Sequence, residues 1–289
     1  MSTLLQWLSG RSLGFLHGLG AGLGWCAYVL SPNYRQRVRA NALQGGIGTA
    51  ARRAAIAHAG RLVAELPRLW LRAAGRPLEP AVQWQGEELI DAALAAGRGL
   101  VMMTPHLGAF EVIAQAYAER FGAHQPMTAL YRPARQPWLR ELETTARNRP
   151  GLLTAPASLA GVRQMIRALR QGQTVGLLPD QVPPEGLGVW APFFGRPAYT
   201  MTLASRLALQ TGAELLLTLC ERLPHGQGWR ITVHAMPEQL PMATTFGGDG
   251  VAHQTECAAV INRAMEFLIR QCPEQYLWGY HRYKAPRAP

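Results

Sequence analysis

The stretch Val101-Met102-Met103-Thr104-Pro105-His106-Leu107-Gly108-Ala109-Phe110-Glu111 sets a histidine and a glutamate five positions apart, at the point where an apolar run ends. A neutral imidazole can take a proton from an alcohol, and a carboxylate on its other ring nitrogen fixes the tautomer and stabilises the imidazolium that forms. Five positions along one helix turn the chain by about 140°, so two helical residues at this spacing do not meet. They can meet if His106 lies on a turn before the helix. Pro105 disfavours helical geometry at Thr104 and Gly108 loosens the turn, which makes that arrangement natural. A histidine beside a helix N-terminus is also held toward its neutral form. Taken alone, the spacing more often marks a core histidine with a solvent-facing glutamate.

The elements that must present this turn alternate along the chain. Leu100 to Met103 reads as a buried strand and Gly108 to Arg120 as a helix, with Val82 to Trp84 and Glu87 to Ala96 as a strand and helix before them. Met127 to Tyr131, Leu152 and Val175 to Leu178 read as further strands, separated by helices at Trp138 to Arg147 and Leu159 to Arg170. Pro183 to Pro197 reads as a loop rich in Gly, Pro and aromatics. A helix at Met201 to Gln210, a hairpin at Glu214 to Cys220 and Trp229 to Val233, and a last helix at Val251 to Arg270 follow. This rhythm predicts an α/β fold: a mixed, mostly parallel sheet flanked by helices.

Upstream, Asn33 to Leu43 and Ala50 to Ala74 read as helices, the second closed by Pro77 and Pro80. Leu13 to Leu30 carries no Asp, Glu, Lys or Arg, with glycines at 14, 18, 20, 22 and 24, and is long enough to cross a bilayer. Trp25, Tyr28 and Pro32 do not suit a signal-peptide cleavage site, so the segment reads as a retained anchor over residues 1–31, with one catalytic domain over residues 32–289. Arg35, Arg37 and Arg39 outnumber Arg11 across it, which by the positive-inside rule leaves the domain in the cytoplasm. An amphipathic helix lying in the interface is the competing reading.

The chain has 289 residues, 48% of them hydrophobic, and a formal net charge of +11, so an anionic partner is expected. Phospholipid headgroups, a phosphorylated glycolipid, an acidic carrier protein and nucleic acid all fit that charge. No RNP, zinc-finger or basic-zipper pattern supports nucleic acid. The four cysteines, Cys26, Cys220, Cys257 and Cys272, lack metal-ligand spacing, so neither a disulfide framework nor a zinc site is expected. No G-x-S-x-G elbow supplies a serine nucleophile, which argues against a thioesterase.

Several ordered blocks resemble the lipid A biosynthesis acyltransferases, the lauroyl and myristoyl transferases related to the lysophospholipid acyltransferase superfamily. They are T-P-H-L-G-A-F-E at 104–111, L-Y-R-P at 130–133, L-L-P-D-Q at 177–181, P-F-F-G-R-P-A at 192–198 and Y-L-W-G-Y-H-R-Y-K at 276–284. The resemblance implies a glycerolipid acyltransferase-like fold at the bacterial inner membrane, an acyl carrier protein thioester as donor, a glycolipid hydroxyl as acceptor, and His106 with Glu111 as catalyst. Neither metal nor cofactor is needed, because a thioester is already activated. A relative of the same fold acting on another glycolipid, or on acyl-coenzyme A, fits the same blocks.

By that resemblance Arg132 binds a phosphate of acceptor or donor, or steadies the oxyanion, against a structural salt bridge as the plainer role. Asp180 sits after a strand on the edge where α/β sheets place their sites, and either orients Arg132 or the acceptor or caps its loop. Trp190, Phe193 and Phe194 are expected to meet acyl chains or the bilayer, though aromatics of this kind are more often core. Arg163, Arg167 and Arg170 form a stripe that is a solvated face or a docking site for an acidic carrier protein.

Overall fold

The structure is a computed structural model that describes residues 3–131, 149–242 and 250–287, together with 136, 143 and 146. The helix expected over Trp138 to Arg147 lies outside the described residues apart from two positions, and Arg132 lies outside them altogether.

Four helices come first: α1 (Thr3–Ser9), α2 (Leu13–Leu30), α3 (Pro32–Gln44) and α4 (Thr49–Trp70). The strands and helices of the sheet follow: β1 (Gln83–Gln85), α5 (Glu88–Ala95), β2 (Leu100–Met103), α6 (Phe110–Arg120), β3 (Met127–Tyr131), β4 (Leu152–Pro156), α7 (Leu159–Arg170) and β5 (Thr174–Leu177). The chain then runs through β6 (Gly188–Phe193), β7 (Arg196–Met201), α8 (Leu203–Thr211), β8 (Glu214–Arg222), β9 (Trp229–Ala235) and α9 (Gly250–Gln271).

Seven strands form one sheet in the order β1-β9-β8-β2-β5-β3-β4, and every pairing but β8 with β9 is parallel. The mixed, mostly parallel sheet is the one expected. Central β2 is buried along its whole length, with alternate residues entering different cores. Val101 and Met103 pack among residues of α7, α8 and α9, while Leu100 and Met102 pack among residues of α5 and α6. Burial on both faces is why its four residues are all apolar rather than alternating.

Two elements depart from the sequence expectation. Helix α4 ends at Trp70, not Ala74, and the Arg149 guanidinium takes up carbonyls at and beyond that end, donating to Leu69 O at 3.0 Å, Arg72 O at 3.0 Å and Ala73 O at 3.4 Å. The loop expected over Pro183 to Pro197 contains an antiparallel hairpin, β6 with β7, lying against α9. Its turn residues Phe194 and Gly195 both have positive φ, 47° and 73°, the pattern of a two-residue type I′ turn. Prolines at paired positions, Pro192 opposite Pro197, are tolerated because this ribbon has no further strand to satisfy.

Helix α2 does not stand free. Its buried stripe of Leu13, Leu16, His17, Gly20, Gly24 and Tyr28 recurs at helical spacing and faces α4. Gly20 and Gly24 meet Gly60 of α4 so closely that a Cβ on any of the three would strike the opposing backbone. The other face carries exposed Phe15, Leu23, Val29 and Leu30. Gly60→Leu should therefore separate the two helices, with a loss of roughly 1–3 kcal/mol in urea unfolding and faster proteolysis of the α2 segment. Unchanged stability and protection would show that this contact does not hold α2.

Candidate active site

Parallel pairing of β2 with β5 aligns Met103 with Leu177, and three residues beyond each partner stand His106 and Asp180. The two chains thus leave neighbouring strands in step and deliver an imidazole and a carboxylate to the same point on the C-terminal edge of the sheet. His106 Nδ1 lies 2.7 Å from Asp180 Oδ1, and the His106 backbone N–H donates to Asp180 Oδ2 at 3.0 Å. Tyr276 OH donates to the same Oδ2 at 3.2 Å. Burial alone would raise the Asp180 carboxyl; the charge and hydrogen bonds of His106, with Arg282 nearby, outweigh it and hold the group below its ordinary value.

With a carboxylate on Nδ1, that nitrogen carries the proton and Nε2 keeps its lone pair. The Gln181 amide nitrogen stands 2.9 Å from Nε2, as the donor that suits this tautomer. The ring is one-fifth exposed, so it is neither sealed in the core nor fully in solvent.

This geometry corrects one expectation about the pair. The ring N–H assigned from sequence to Glu111 goes to Asp180, because β2 and β5 are adjacent and Asp180 reaches Nδ1 directly. Glu111 occupies the first turn of α6, where its Oε2 accepts from the Trp70 indole N–H at 3.2 Å. Asp180 has both oxygens engaged by His106 and Tyr276, while the Arg132 it is expected to orient lies outside the described residues.

The aromatic expectations divide. Trp190 is 48% exposed, whereas Phe193 and Phe194 are 2% and 6% exposed and belong to the core. The tight hairpin turn carries Phe194 inward, where its ring meets Phe193, Trp278 and the Arg270 guanidinium. Arg163, Arg167 and Arg170 are exposed on α7 opposite its buried face.

The turn from His106 to Ala109 is pinned from two sides. Leu277 N–H donates to His106 O at 3.2 Å, Gly108 N–H to Gln275 O at 3.0 Å and Ala109 N–H to Cys220 O at 2.8 Å. Gly108 has φ of 60° and lies so close to the Cys220 carbonyl that no side chain fits there. The Leu107 N–H is turned to Pro105 O at 2.7 Å. The amides of Leu107, Gly108 and Ala109 are therefore engaged within the protein.

Beneath the turn lies a buried charge cluster that sequence reasoning missed. The Arg222 guanidinium donates to Glu65 Oε1 through Nε at 2.9 Å and Nη2 at 2.7 Å, and Nη2 also donates to Gly108 O at 2.7 Å. Glu65 Oε2 meets His17 Nε2 at 3.2 Å, so α2, α4, β8 and the His106 turn share one network. Burial raises the Glu65 carboxyl, but Arg222 and then His17 prevail and leave it below its ordinary value. The available signal was a lone acid among Leu62, Leu66 and Leu69 on an apolar face, and a lone histidine within the apolar segment. No group of His, Cys, Asp and Glu among the described residues is arranged to hold a metal ion.

Residues 14–285 match the family model described as bacterial lipid A biosynthesis acyltransferase. The chain belongs to that family. It is 30% identical over 200 residues to a lipid A biosynthesis lauroyltransferase of Escherichia coli K12, a match covering 69% of this chain and 60% of that protein. A palmitoleoyltransferase of lipid A biosynthesis from the same organism is 26% identical, with the same coverage. A phosphatidylinositol mannoside acyltransferase of Mycobacterium tuberculosis is 30% identical over 178 residues, 60% of this chain and 54% of that protein. The chain thus spans about three-fifths of the length of the E. coli relatives it matches.

Removing one partner of the buried pair leaves an uncompensated charge, so Glu65→Ala should cost about 3–5 kcal/mol in denaturant unfolding. Acid should destabilise the protein in two stages. His58 is pushed down to about 3, by burial first and then by Arg61, from an ordinary 6.5. Between those values the unfolded chain binds a proton that the fold refuses, so stability falls as pH drops below about 6.5. Asp180 and Glu65, both lowered, supply stability that is complete above their ordinary values of 3.8 and 4.5 and is lost as pH falls through their folded ones. A pH series of melting temperatures should show the upper stage flattened in His58→Gln and the lower one in Asp180→Asn; unchanged curves in both would contradict these assignments.

Proposed function

We propose that this chain transfers a fatty acyl group from an acyl carrier protein thioester to a hydroxyl of a lipid A precursor, at the cytoplasmic face of the bacterial inner membrane. The observation that carries the reading is the His106 and Asp180 pair at the sheet edge, in a chain matched to the acyltransferase family from residue 14 to 285. Nε2 of His106 takes the hydroxyl proton as the acceptor oxygen attacks the thioester carbonyl carbon. Asp180 keeps Nδ1 protonated and steadies the imidazolium. Collapse of the tetrahedral intermediate breaks the carbon–sulfur bond, and the proton on Nε2 leaves with the thiol.

Glu111 keeps a catalytic part by the family resemblance alone, because the ring nitrogen expected to meet it faces Asp180. The oxyanion needs a hydrogen-bond donor. Arg132 has that part, or a phosphate, by resemblance, and the Gln181 amide is within a hydrogen bond of the base. For Gln181 this means leaving Nε2 as the acceptor hydroxyl arrives. Helix α2, apolar and long enough to cross a bilayer, keeps the enzyme at the membrane whether it spans or lies in the interface.

A second acceptor class is favoured by one observation: the mycobacterial match equals the lauroyltransferase in identity and is named for a mannoside of phosphatidylinositol. The transfer chemistry is the same, and the glycolipid differs.

Mass spectrometry of membrane glycolipid from cells with and without the gene should show one missing acyl mass, and His106→Ala should reproduce the deficient sample. Turnover of purified His106→Ala should drop by about 10²–10⁴-fold. Acyl release that proceeds equally with and without a glycolipid acceptor would mark a thioesterase instead, and an unaltered lipid profile would remove the reading.

A further inference from the structure

No aspartate or glutamate occurs before Glu65, although Arg11, Arg35, Arg37, Arg39, Arg52, Arg53 and Arg61 all precede it. Glu65 is itself buried against Arg222, so it offers nothing to the surface cations. Three of those arginines converge on one feature. Where α2 ends, Ser31 caps α3, its side chain accepting from Tyr34 N–H at 3.4 Å, and the chain folds back at Pro32. Beyond that elbow an open groove of about 500 Å³ runs between α3 and the start of α4, lined by Pro32, Arg35, Arg39, Leu43 and Arg52.

Two guanidiniums are held at this elbow. Arg35 donates through Nη1 to Val29 O at 3.1 Å, and Arg39 through Nε to Tyr28 OH at 3.0 Å. Each guanidinium has further N–H groups beyond that bond. Among the described residues no carboxylate lies within ion-pair distance of Arg35, Arg39 or Arg52. The rim is apolar: Leu43 lines the groove, and Val29 and Leu30 at the end of α2 are exposed, Leu30 by 81%.

We infer that the groove seats the phosphate of an anionic phospholipid, with the lipid chains lying along the exposed apolar face of α2. Planar guanidinium forks match phosphate oxygens, and the cationic lining continues directly into aliphatic side chains. A free phosphate would use the arginines and leave that aliphatic rim in water. An acidic protein surface would likewise leave it unmatched. A phospholipid uses both. The inference rests on the membrane residence proposed above, but not on the acyl transfer.

The test is flotation of the full-length protein with vesicles of phosphatidylcholine, with and without phosphatidylglycerol, at low and raised salt. Arg35→Gln, Arg39→Gln and Arg52→Gln are combined in one variant. A second variant combines Arg163→Gln, Arg167→Gln and Arg170→Gln, removing the same charge from α7. The groove variant should lose roughly tenfold to a hundredfold of its binding to phosphatidylglycerol vesicles, keep its binding to neutral ones and keep its melting temperature, while the α7 variant keeps all three. Equal losses in both variants would mean net charge alone acts and would overturn the seat. Retained vesicle binding by the groove variant would overturn it too, and loss of carrier-protein binding in that case would assign the groove to an acidic protein. Acyl transfer to detergent-dispersed acceptor, measured on the same samples, fails or succeeds separately.

Discussion

Everything at the site depends on the register between β2 and β5. A buried carboxylate is costly unless donors surround it, and Asp180 receives the His106 ring, the His106 backbone N–H and the Tyr276 hydroxyl. Those donors converge because Met103 is paired with Leu177 and both strands leave the sheet together. A one-residue slip would turn each side chain to the other face and part the pair. That register is secured by apolar burial on both faces of β2 rather than by the pair itself. The placement of His106 against Asp180 is a consequence of the core.

The cluster below the turn extends the same logic toward the N-terminus. Arg222 joins Glu65 to the carbonyl of Gly108, and Glu65 joins His17. Helix α2, seated on α4 through glycine contacts, is thereby connected through charged hydrogen bonds to the backbone that follows His106. An element that looks like a detachable anchor when only its hydropathy is considered touches, through His17, the buried Glu65–Arg222 pair that also holds the Gly108 carbonyl of the His106 turn. Buried pairs of this kind are poor sources of net stability, but losing one member is severe, which fixes the relative placement of the elements that share them.

Periodicity made much of this fold legible. Leu13–Leu30, Met127–Tyr131 and Leu159–Arg170 are found to the residue. In the case of Leu159–Arg170 the reason is local: Ser158 caps it, accepting from Gly161 N–H, and Gly172 follows its end. The hairpin of β6 and β7 was hidden by its own composition, since two prolines and two glycines read as loop when no partner strand is visible. The carboxylate on Nδ1 was hidden for another reason. Glu111 is near His106 in sequence and Asp180 is 74 positions away, and only strand order decides which is near in space. A single sequence carries no direct signal of strand order, so proximity along the chain stood in for proximity across the sheet.

Burial of Phe193 and Phe194 also removes them from any apolar surface the molecule presents. A hairpin dipping two phenylalanines into a bilayer would have set the lipid face beside β6, yet the turn with φ of 47° at Phe194 sends that ring inward under Arg270. On that ribbon Trp190 is left as the large exposed aromatic, whereas α1 and α2 together expose Leu4, Trp7, Phe15, Leu23, Val29 and Leu30. Apolar surface of that extent on two successive helices is costly to leave in water and is favourable against lipid. Among the described residues α1 and α2 thus carry a contiguous share of the exposed apolar surface, while the opposite, buried face of α2 holds His17 and the network that runs through Glu65 and Arg222 to the Gly108 carbonyl.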